Sequence, residues 1–96
     1  MAFKFNARLD GYEYRGRRVG TGSNGKQWMS LILESPEDSS QIDVSVPVDL
    51  QDDVYSLNLQ KGDFVTCNVL AVSSEKYSFV RVTSVPVVYD ADGELV

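Results

Sequence analysis

Apolar and polar residues alternate along most of the chain, and this period of two is typical of half-buried β-strands. Phe3, Phe5, Ala7 and Leu9 alternate with polar neighbours at the start of the chain. Four further segments either alternate in the same way or are rich in β-branched and aromatic residues. They cover residues 28–33, 42–46, 64–72 and 79–88. Because Pro86 cannot donate to a ladder, it ends or edges the last segment, and the pattern predicts five or six strands.

Turn-forming residues separate these strands. Residues 20–25 join the first strand to the second, and the pair Asn24-Gly25 readily adopts positive φ. Residues 35–40 form a polar loop, and residues 73–76 form a third turn, of the hairpin type.

A short helix is predicted at one place. Residues 49–59, between the third and fourth strands, could be helical for one or two turns, with Asp49 or Asp52 as the N-cap.

The order of the elements indicates a small closed barrel. Gly11 and Gly16 interrupt the long first strand, where a bulge or sharp bend would let it curl around a barrel. Three strands, a short helix or loop and two further strands is the order of the OB barrel. We therefore predict an all-β protein, a five-stranded OB-fold barrel with a short helix or loop between strands 3 and 4. An SH3-like barrel of similar strand count is the alternative.

Length and composition indicate one domain. The 96 residues are 43% hydrophobic and 24% charged, an ordinary globular composition that can form a single modest core. We assign residues 1–89 to the OB-fold domain and residues 90–96 to a short acidic C-terminal tail. No apolar run approaches the roughly 20 residues of a membrane-spanning helix, and the N-terminus lacks the apolar core of a signal peptide. The expected location is the cytoplasm, with no membrane partner.

The residue inventory argues against catalysis. With one cysteine, Cys67, and no histidine, the chain cannot build a thiolate or imidazole zinc site. Its carboxylates lie mostly in polar loops or at outward strand positions, whereas a general acid and base pair needs burial to perturb its pKa values. We predict a protein that is not an enzyme and uses no metal and no cofactor. Cys67 is expected to be a small buried hydrophobic residue.

Charge is distributed unevenly along the chain. Residues 1–30 carry six basic and two acidic residues, a net charge of +4, whereas residues 31–96 carry three basic and twelve acidic residues, a net charge of −9. The overall net charge of −5 therefore conceals a basic front third. Because the local field over a patch governs binding, this asymmetry is compatible with a polyanionic partner.

Aromatic and basic residues are interleaved around the first predicted hairpin. They are Tyr12, Tyr14, Arg15, Arg17, Arg18, Lys26 and Trp28. On a regular strand the two tyrosines would share a face with Arg18, and Arg15 and Arg17 would share the other face. Trp28 points outward, because Met29 and its alternate neighbours occupy the core side. Such a mixture is typical of sequence-nonspecific binding to single-stranded nucleic acid: cations neutralise phosphates, and rings stack on unpaired bases at about 1 to 3 kcal/mol each.

A second group of candidates follows the turn at residues 73–76. Tyr77, Phe79 and Arg81 alternate with apolar residues that belong inside, and Lys76 precedes them. At this position the L45 loop of an OB barrel presents rings to its ligand. We predict that these four residues complete a nucleic-acid-binding surface; the alternative places Phe79 in the core and Tyr77 at a hairpin edge.

Two stretches resemble a known family. One, Asn-Gly-Lys-Gln-Trp-Met-Ser-Leu at residues 24–31, resembles the Gly-Lys-x-aromatic-x-x-hydrophobic hairpin of OB-type single-stranded-DNA-binding proteins from phages, notably the small filamentous-phage family. The other, at residues 59–65, resembles the Lys-Gly-Asp entry into the fourth OB strand. The resemblance extends over residues 15–88 and implies a cooperative homodimer. It also implies phosphate-binding and base-stacking roles for Arg15, Arg17, Arg18, Lys26, Trp28 and Tyr77.

We therefore expect a non-enzymatic protein that coats single-stranded DNA during phage or plasmid DNA replication. The acidic tail resembles the acidic tips with which many single-strand binders recruit replication proteins, and a frayed terminus is its alternative. Two other functions stay open. The aromatic faces could form the subunit interface of a protein-protein interaction module, or the domain could bind RNA, because rings and arginines do not read the 2′-hydroxyl.

Overall fold

The computed structural model describes residues 3–90 and 92–95, which form six β-strands and one α-helix. In chain order the elements are β1 (Phe3–Thr21), β2 (Gln27–Glu34), β3 (Gln41–Ser45), α1 (Val48–Ser56), β4 (Phe64–Ser73), β5 (Ser78–Val82) and β6 (Val87–Tyr89). The first five strands close into a ring in the order β1-β2-β3-β5-β4, because β1 pairs with both β2 and β4. Only β3 and β5 pair in parallel in the described part of the chain. The predicted OB-fold barrel, with a helix between strands 3 and 4, is confirmed.

β1 reaches both of its neighbours because it bends at two bulges. Its first half pairs with β4 and its second half with β2. The register shifts between Leu9 and Tyr12 and again between Tyr14 and Gly16. Gly11 (φ 61°) and Gly16 (φ 142°) occupy these two irregularities, in a backbone conformation that favours glycine. The bends predicted at both glycines are confirmed.

Tight turns form the L12 and L45 loops of the barrel. In the L12 loop, between β1 and β2, the N–H of Gly22 donates to the carbonyl of Lys26 at 2.8 Å, and Gly25 has a φ of 77°. In the L45 loop, between β4 and β5, the N–H of Ser74 donates to the carbonyl of Tyr77 at 2.8 Å. Both turns fall where the sequence predicts them.

The helix begins one residue earlier than predicted. Pro47 is its N-cap residue and makes no side-chain cap hydrogen bond, so the predicted caps Asp49 and Asp52 are wrong. Asp49 lies instead in the first turn, where a carboxylate interacts favourably with the helix dipole.

The two buried side chains of α1 help to attach it to the barrel. The side-chain amide of Gln51 is buried and donates to the carbonyls of Gln27 and Val46, each at 3.3 Å. Val54, only 1% exposed, packs in the core. The helix therefore covers one end of the barrel and is held by both a polar and an apolar contact.

The core fills the interior of the ring. Its central members come from β2, β3, β4 and β5: Leu31, Leu33, Val44, Val65, Val69 and Val82. Cys67 is 4% exposed, which confirms the predicted buried position, and burial raises the pKa of its thiol from the usual 9.0 to about 11.

The last strand and the C-terminal residues form a small addition to the barrel. β6 pairs with the first residues of β4, and Pro86 separates it from β5. The N–H of Asp90 donates to the carbonyl of Glu94 at 2.7 Å, and Leu95 forms a bridge with Tyr89, so residues 92–95 turn back onto β6. Ala91 and Val96 of the predicted tail, and residues 1–2 of the predicted domain, lie outside the described residues.

Within residues 3–90 and 92–95, no helix is both long enough and apolar enough to cross a bilayer.

Candidate nucleic-acid interface

One wall of the barrel presents a continuous row of paired residues to solvent. Arg18 on β1 pairs with Ser30 on β2, Ser30 with Ser45 on β3, and Ser45 with Arg81 on β5. Residues paired across strands point to the same side of a sheet, and three inter-strand steps place the two arginine Cα atoms roughly 14 Å apart along it. Two small hydroxyl side chains thus lie between two cations. We call this wall the outer face; it comprises Arg18, Trp28, Ser30, Ile32, Asp43, Ser45, Phe79 and Arg81.

Trp28 lies on the outer face, as the alternation in β2 predicts. It pairs with Gly20, and its indole ring lies across that glycine: a Cβ added to Gly20 would stand 2.6 Å from Cζ2 of the ring. The side chain is nevertheless 47% exposed. A flat ring supported by one strand and open to solvent is suited to stacking on an unpaired base.

β5 adds a ladder of stacked groups to the same wall. The rings of Tyr77 and Phe79 are 5.8 Å apart between centroids with an interplanar angle of 16°, and the guanidinium carbon of Arg81 is 5.5 Å from the Phe79 centroid. Tyr77, in the L45 loop, is 57% exposed, whereas Phe79 is half-buried and outside the core cluster. Lys76 is exposed beside them. The structure therefore brings the second candidate group together.

The two candidate tyrosines of β1 do not lie on the outer face. Tyr14 is 5% exposed and belongs to the core, and the half-buried Tyr12 packs against it. The prediction that they share a face with Arg18 is wrong, because the bulge at Arg15 inserts an extra residue and reverses the alternation. Tyr14 consequently pairs with the buried Leu33. Neither ring is presented for stacking.

Two of the candidate arginines form ion pairs. Arg15 occupies the bulge and donates to Glu13 at 2.6 Å, and the hydrogen bond and charge of Glu13 raise the pKa of the guanidinium. Arg18 donates to Asp43 at 3.2 Å on the outer face. Exposed pairs of this kind are weak, so a phosphate can compete for either cation.

Arg17 lies on the opposite side of β1 from Arg18. It pairs with the core residue Leu31, and its guanidinium stacks over Tyr55 of α1, with Cζ 4.5 Å from the ring centroid. The predicted face shared by Arg15 and Arg17 is therefore not formed, and the cause is again the bulge.

Lys61 is a cation near the site that the sequence interpretation missed. It follows α1 and reaches the second bulge, where its Cε lies 3.9 Å from the position a Cβ would have at Gly16. With Arg17 it lines an open groove that also includes Tyr14, Gly16, Leu59 and Gln60; we call it the Arg17–Lys61 groove. Burial raises the pKa of the Tyr14 phenol there, and the charge of Arg17 offsets part of that rise. Lys61 belongs to the Lys-Gly-Asp motif, but only the fold brings it to β1.

Lys26 is exposed at the L12 end of β2 and lines a shallow groove with Gln27 and α1. It lies two residues before Trp28 in the chain. Among residues 3–90 and 92–95, no group of three or more His, Cys, Asp or Glu side chains is arranged to hold a metal ion.

Comparison with known proteins identifies similar folds but no sequence relatives. No protein-family model matches the chain, and no curated protein matches it. Two solved structures of the mitochondrial single-stranded DNA binding protein Rim1 from S. cerevisiae are similar to it. One has a TM-score of 0.68 and 12% identity and covers 90% of this chain and 94% of its own. The other has a TM-score of 0.61 and 14% identity and covers 81% and 86%.

At these identities the comparison establishes the fold. The chain has the OB-type architecture found in single-stranded-DNA-binding proteins. The resemblance to the filamentous-phage family stays a prediction, because no family model supports it.

Proposed function

We propose that this protein binds single-stranded DNA on the outer face of its barrel and is not an enzyme. The observation that carries the proposal is the combination of exposed rings and cations on one wall: Trp28 beside Arg18, and the ladder from Tyr77 to Arg81. Duplex DNA hides the faces of its bases, so exposed rings favour a single strand. The similarity of its fold to Rim1, a mitochondrial single-stranded DNA binding protein, supports the proposal.

The row from Arg18 to Arg81 indicates how a strand would lie. The arginines at the two ends of the row would contact phosphates. The small side chains of Ser30 and Ser45 leave space for the DNA strand between the two arginines. Arg18 would exchange its carboxylate partner Asp43 for a phosphate. Trp28 and the ring of Tyr77 would each stack on a base, which contributes about 1 to 3 kcal/mol per base. Lys26 and Lys76 would add phosphate contacts from the two loops.

Titration of Trp28 fluorescence with oligo(dT) at several salt concentrations tests the proposal. Because the chain has one tryptophan, quenching reports on the outer face alone. We expect quenching and an affinity that falls with salt by a logarithmic slope of about −0.7 per phosphate contacted. The double variant Arg18→Gln/Arg81→Gln should flatten the slope. If oligo(dT) does not quench Trp28, and labelled oligo(dT) shows no rise in anisotropy with added protein, the proposal is wrong.

A matched control separates local from global charge. Lys4→Gln/Arg8→Gln removes the same two charges from the first half of β1 and should leave the slope near that of the wild type. Competition with oligo(rU) distinguishes DNA from RNA. If the domain binds RNA, the outer face should bind oligo(rU) more tightly than oligo(dT). Absence of all nucleic-acid binding, together with self-association through the exposed rings, would favour the protein-interaction module.

We also propose that the protein is a homodimer. Phe3 and Phe5 are 67% and 58% exposed at the start of β1, and in the described residues this half of β1 pairs with a strand, β4, on one side alone. A second copy seated on this edge would cover both rings. Sedimentation equilibrium should give twice the monomer mass, and Phe3→Asp/Phe5→Asp should give the monomer mass; a monomeric wild type would contradict the dimer.

The wider role that we propose is the coating of single strands during phage or plasmid DNA replication in the cytoplasm, with the acidic tail recruiting replication proteins. Removal of residues 90–96 tests the tail. It should leave oligo(dT) affinity intact but slow replication of the phage or plasmid that carries the gene; unchanged replication would reject recruitment.

A further inference from the structure

We infer that the Arg17–Lys61 groove is a second phosphate-binding site, which takes the backbone of a single strand after it leaves the outer face and crosses the edge of β1. The inference rests on the proposed function and extends it from one wall of the barrel to a longer path. The ligand is a phosphodiester chain, recognised by two cations without regard to base.

The pairing of their charges distinguishes the two cations of the groove from the other arginines of β1. Arg8, Arg15 and Arg18 are each paired with a carboxylate, at 2.7, 2.6 and 3.2 Å. Arg17 and Lys61, by contrast, form no salt bridge in the described part of the chain. Two neighbouring cations without carboxylate partners create a positive local field that attracts an anion.

The guanidinium of Arg17 is also held in place. Its stacking on Tyr55, at 4.5 Å from the ring centroid, restricts the side chain but leaves the N–H groups along its edge available as donors. Less conformational entropy is then lost when a phosphate binds.

The bulge shapes the other side of the groove. Gly16 has no side chain, and Lys61 lies against it, so the ammonium group reaches the groove from the segment that precedes β4. The nearby carboxylate of Asp63 is turned into its own loop, where it accepts the N–H of Gln60 at 2.9 Å and is 9% exposed. It therefore leaves the two cations unneutralised.

The groove is continuous with the outer face. Arg17 and Arg18 are consecutive on β1 and point to opposite sides, as successive strand residues do. Residues 17–21 of β1 pair with β2, and among the described residues no strand covers their other edge. A DNA strand that passes around this edge of β1 would move from Arg18 to Arg17 and Lys61. A short oligonucleotide should therefore fill the outer face, and a longer one should also reach the groove.

Oligonucleotides of two lengths test the inference. OB domains bind about 4 to 16 nucleotides each, so labelled oligo(dT) of about 4 and about 16 nucleotides represents the two cases. Arg17→Gln/Lys61→Gln should bind the short oligonucleotide like the wild type. Its affinity for the long one should fall about tenfold, with a logarithmic salt slope smaller by about 1.4, the value for two phosphates on a single strand.

Two further variants and one control keep the outcome interpretable. Lys61→Gln, which removes no stacking contact, should reproduce about half of the change in slope, and Arg17→Lys should restore much of the long-oligonucleotide affinity. The control Lys4→Gln/Arg8→Gln should change the affinities for the short and the long oligonucleotide by the same factor. Wild-type binding of both lengths with no length-dependent loss in the groove variants would overturn the second site and leave the outer face standing. Failure of the wild type to bind either length would instead overturn the proposed function.

Discussion

Trp28 lies across the backbone of Gly20 so closely that no other residue at position 20 could keep its Cβ clear of the indole ring. Gly20→Ala should push the ring away, because the added Cβ would stand 2.6 Å from Cζ2. The ring is the exposed end of a side chain and can move, so the free energy of unfolding should change by less than about 1 kcal/mol. Affinity for oligo(dT) should fall about tenfold, within the range of one lost base stack.

Fluorescence and binding check this prediction together. The emission of Trp28 in the free protein should shift, and Thr21→Ala, an exposed position one residue further along β1, should change neither emission nor affinity. Unchanged emission in Gly20→Ala would show that the ring does not depend on the glycine.

Asp43 should weaken binding of single-stranded DNA by wild-type protein. Its carboxylate holds Arg18 at 3.2 Å on the outer face and would repel a phosphate placed there. Asp43→Asn should raise oligo(dT) affinity about fivefold, because removing a competing exposed ion pair yields up to about 1 kcal/mol. Stability should change little for the same reason.

The control for Asp43→Asn has the same charge change elsewhere. Asp53→Asn alters an exposed carboxylate on α1 and should raise affinity much less at moderate salt. An equal rise in both variants would attribute the effect to net charge, and Arg18 would then not be restrained by Asp43.

The barrel itself was accessible from the sequence because its signals are local. Alternation in β2 places Met29 inside and Trp28 outside, and the glycines of β1 mark both bends correctly. The phase of a strand beyond a bulge is not a local signal, because it depends on how many residues the bulge inserts. For this reason simple alternation places Tyr14 on the wrong side of β1 and predicts a face shared by Arg15 and Arg17 that does not form.

Lys61 escaped the sequence interpretation for a different reason. Its position beside Gly16 depends on the pairing of the segment before β4 with Tyr14, through the N–H of Gly62 donating to the Tyr14 carbonyl at 3.0 Å. A contact across more than forty residues follows from barrel closure and from no motif.

The exposed ring of Tyr77 should act through stacking and not through its hydroxyl. Tyr77→Phe should keep oligo(dT) affinity, whereas Tyr77→Ala should lower it by about 1 to 3 kcal/mol. Because the side chain is 57% exposed, neither substitution should shift the unfolding midpoint much. Anisotropy of labelled oligo(dT) measures the first effect and thermal unfolding the second. A loss in Tyr77→Phe equal to that in Tyr77→Ala would assign the contribution to the hydroxyl.

Alkaline pH should destabilise the protein through two buried acids. The Cys67 thiol ionises at about 11 in the folded state instead of 9.0, and burial also raises the pKa of Tyr14 above 10.0. The unfolded chain therefore loses these protons first as pH rises, so it binds fewer protons than the folded chain and stability falls. The urea midpoint should be independent of these groups below pH 9 and should decrease from about pH 9 to about pH 11.

Cys67→Ala should lower the midpoint at neutral pH, because it leaves a small cavity, but its midpoint should decline less between pH 9 and 11 than that of the wild type. Equal declines in the two proteins would show that the thiol ionises alike in both states.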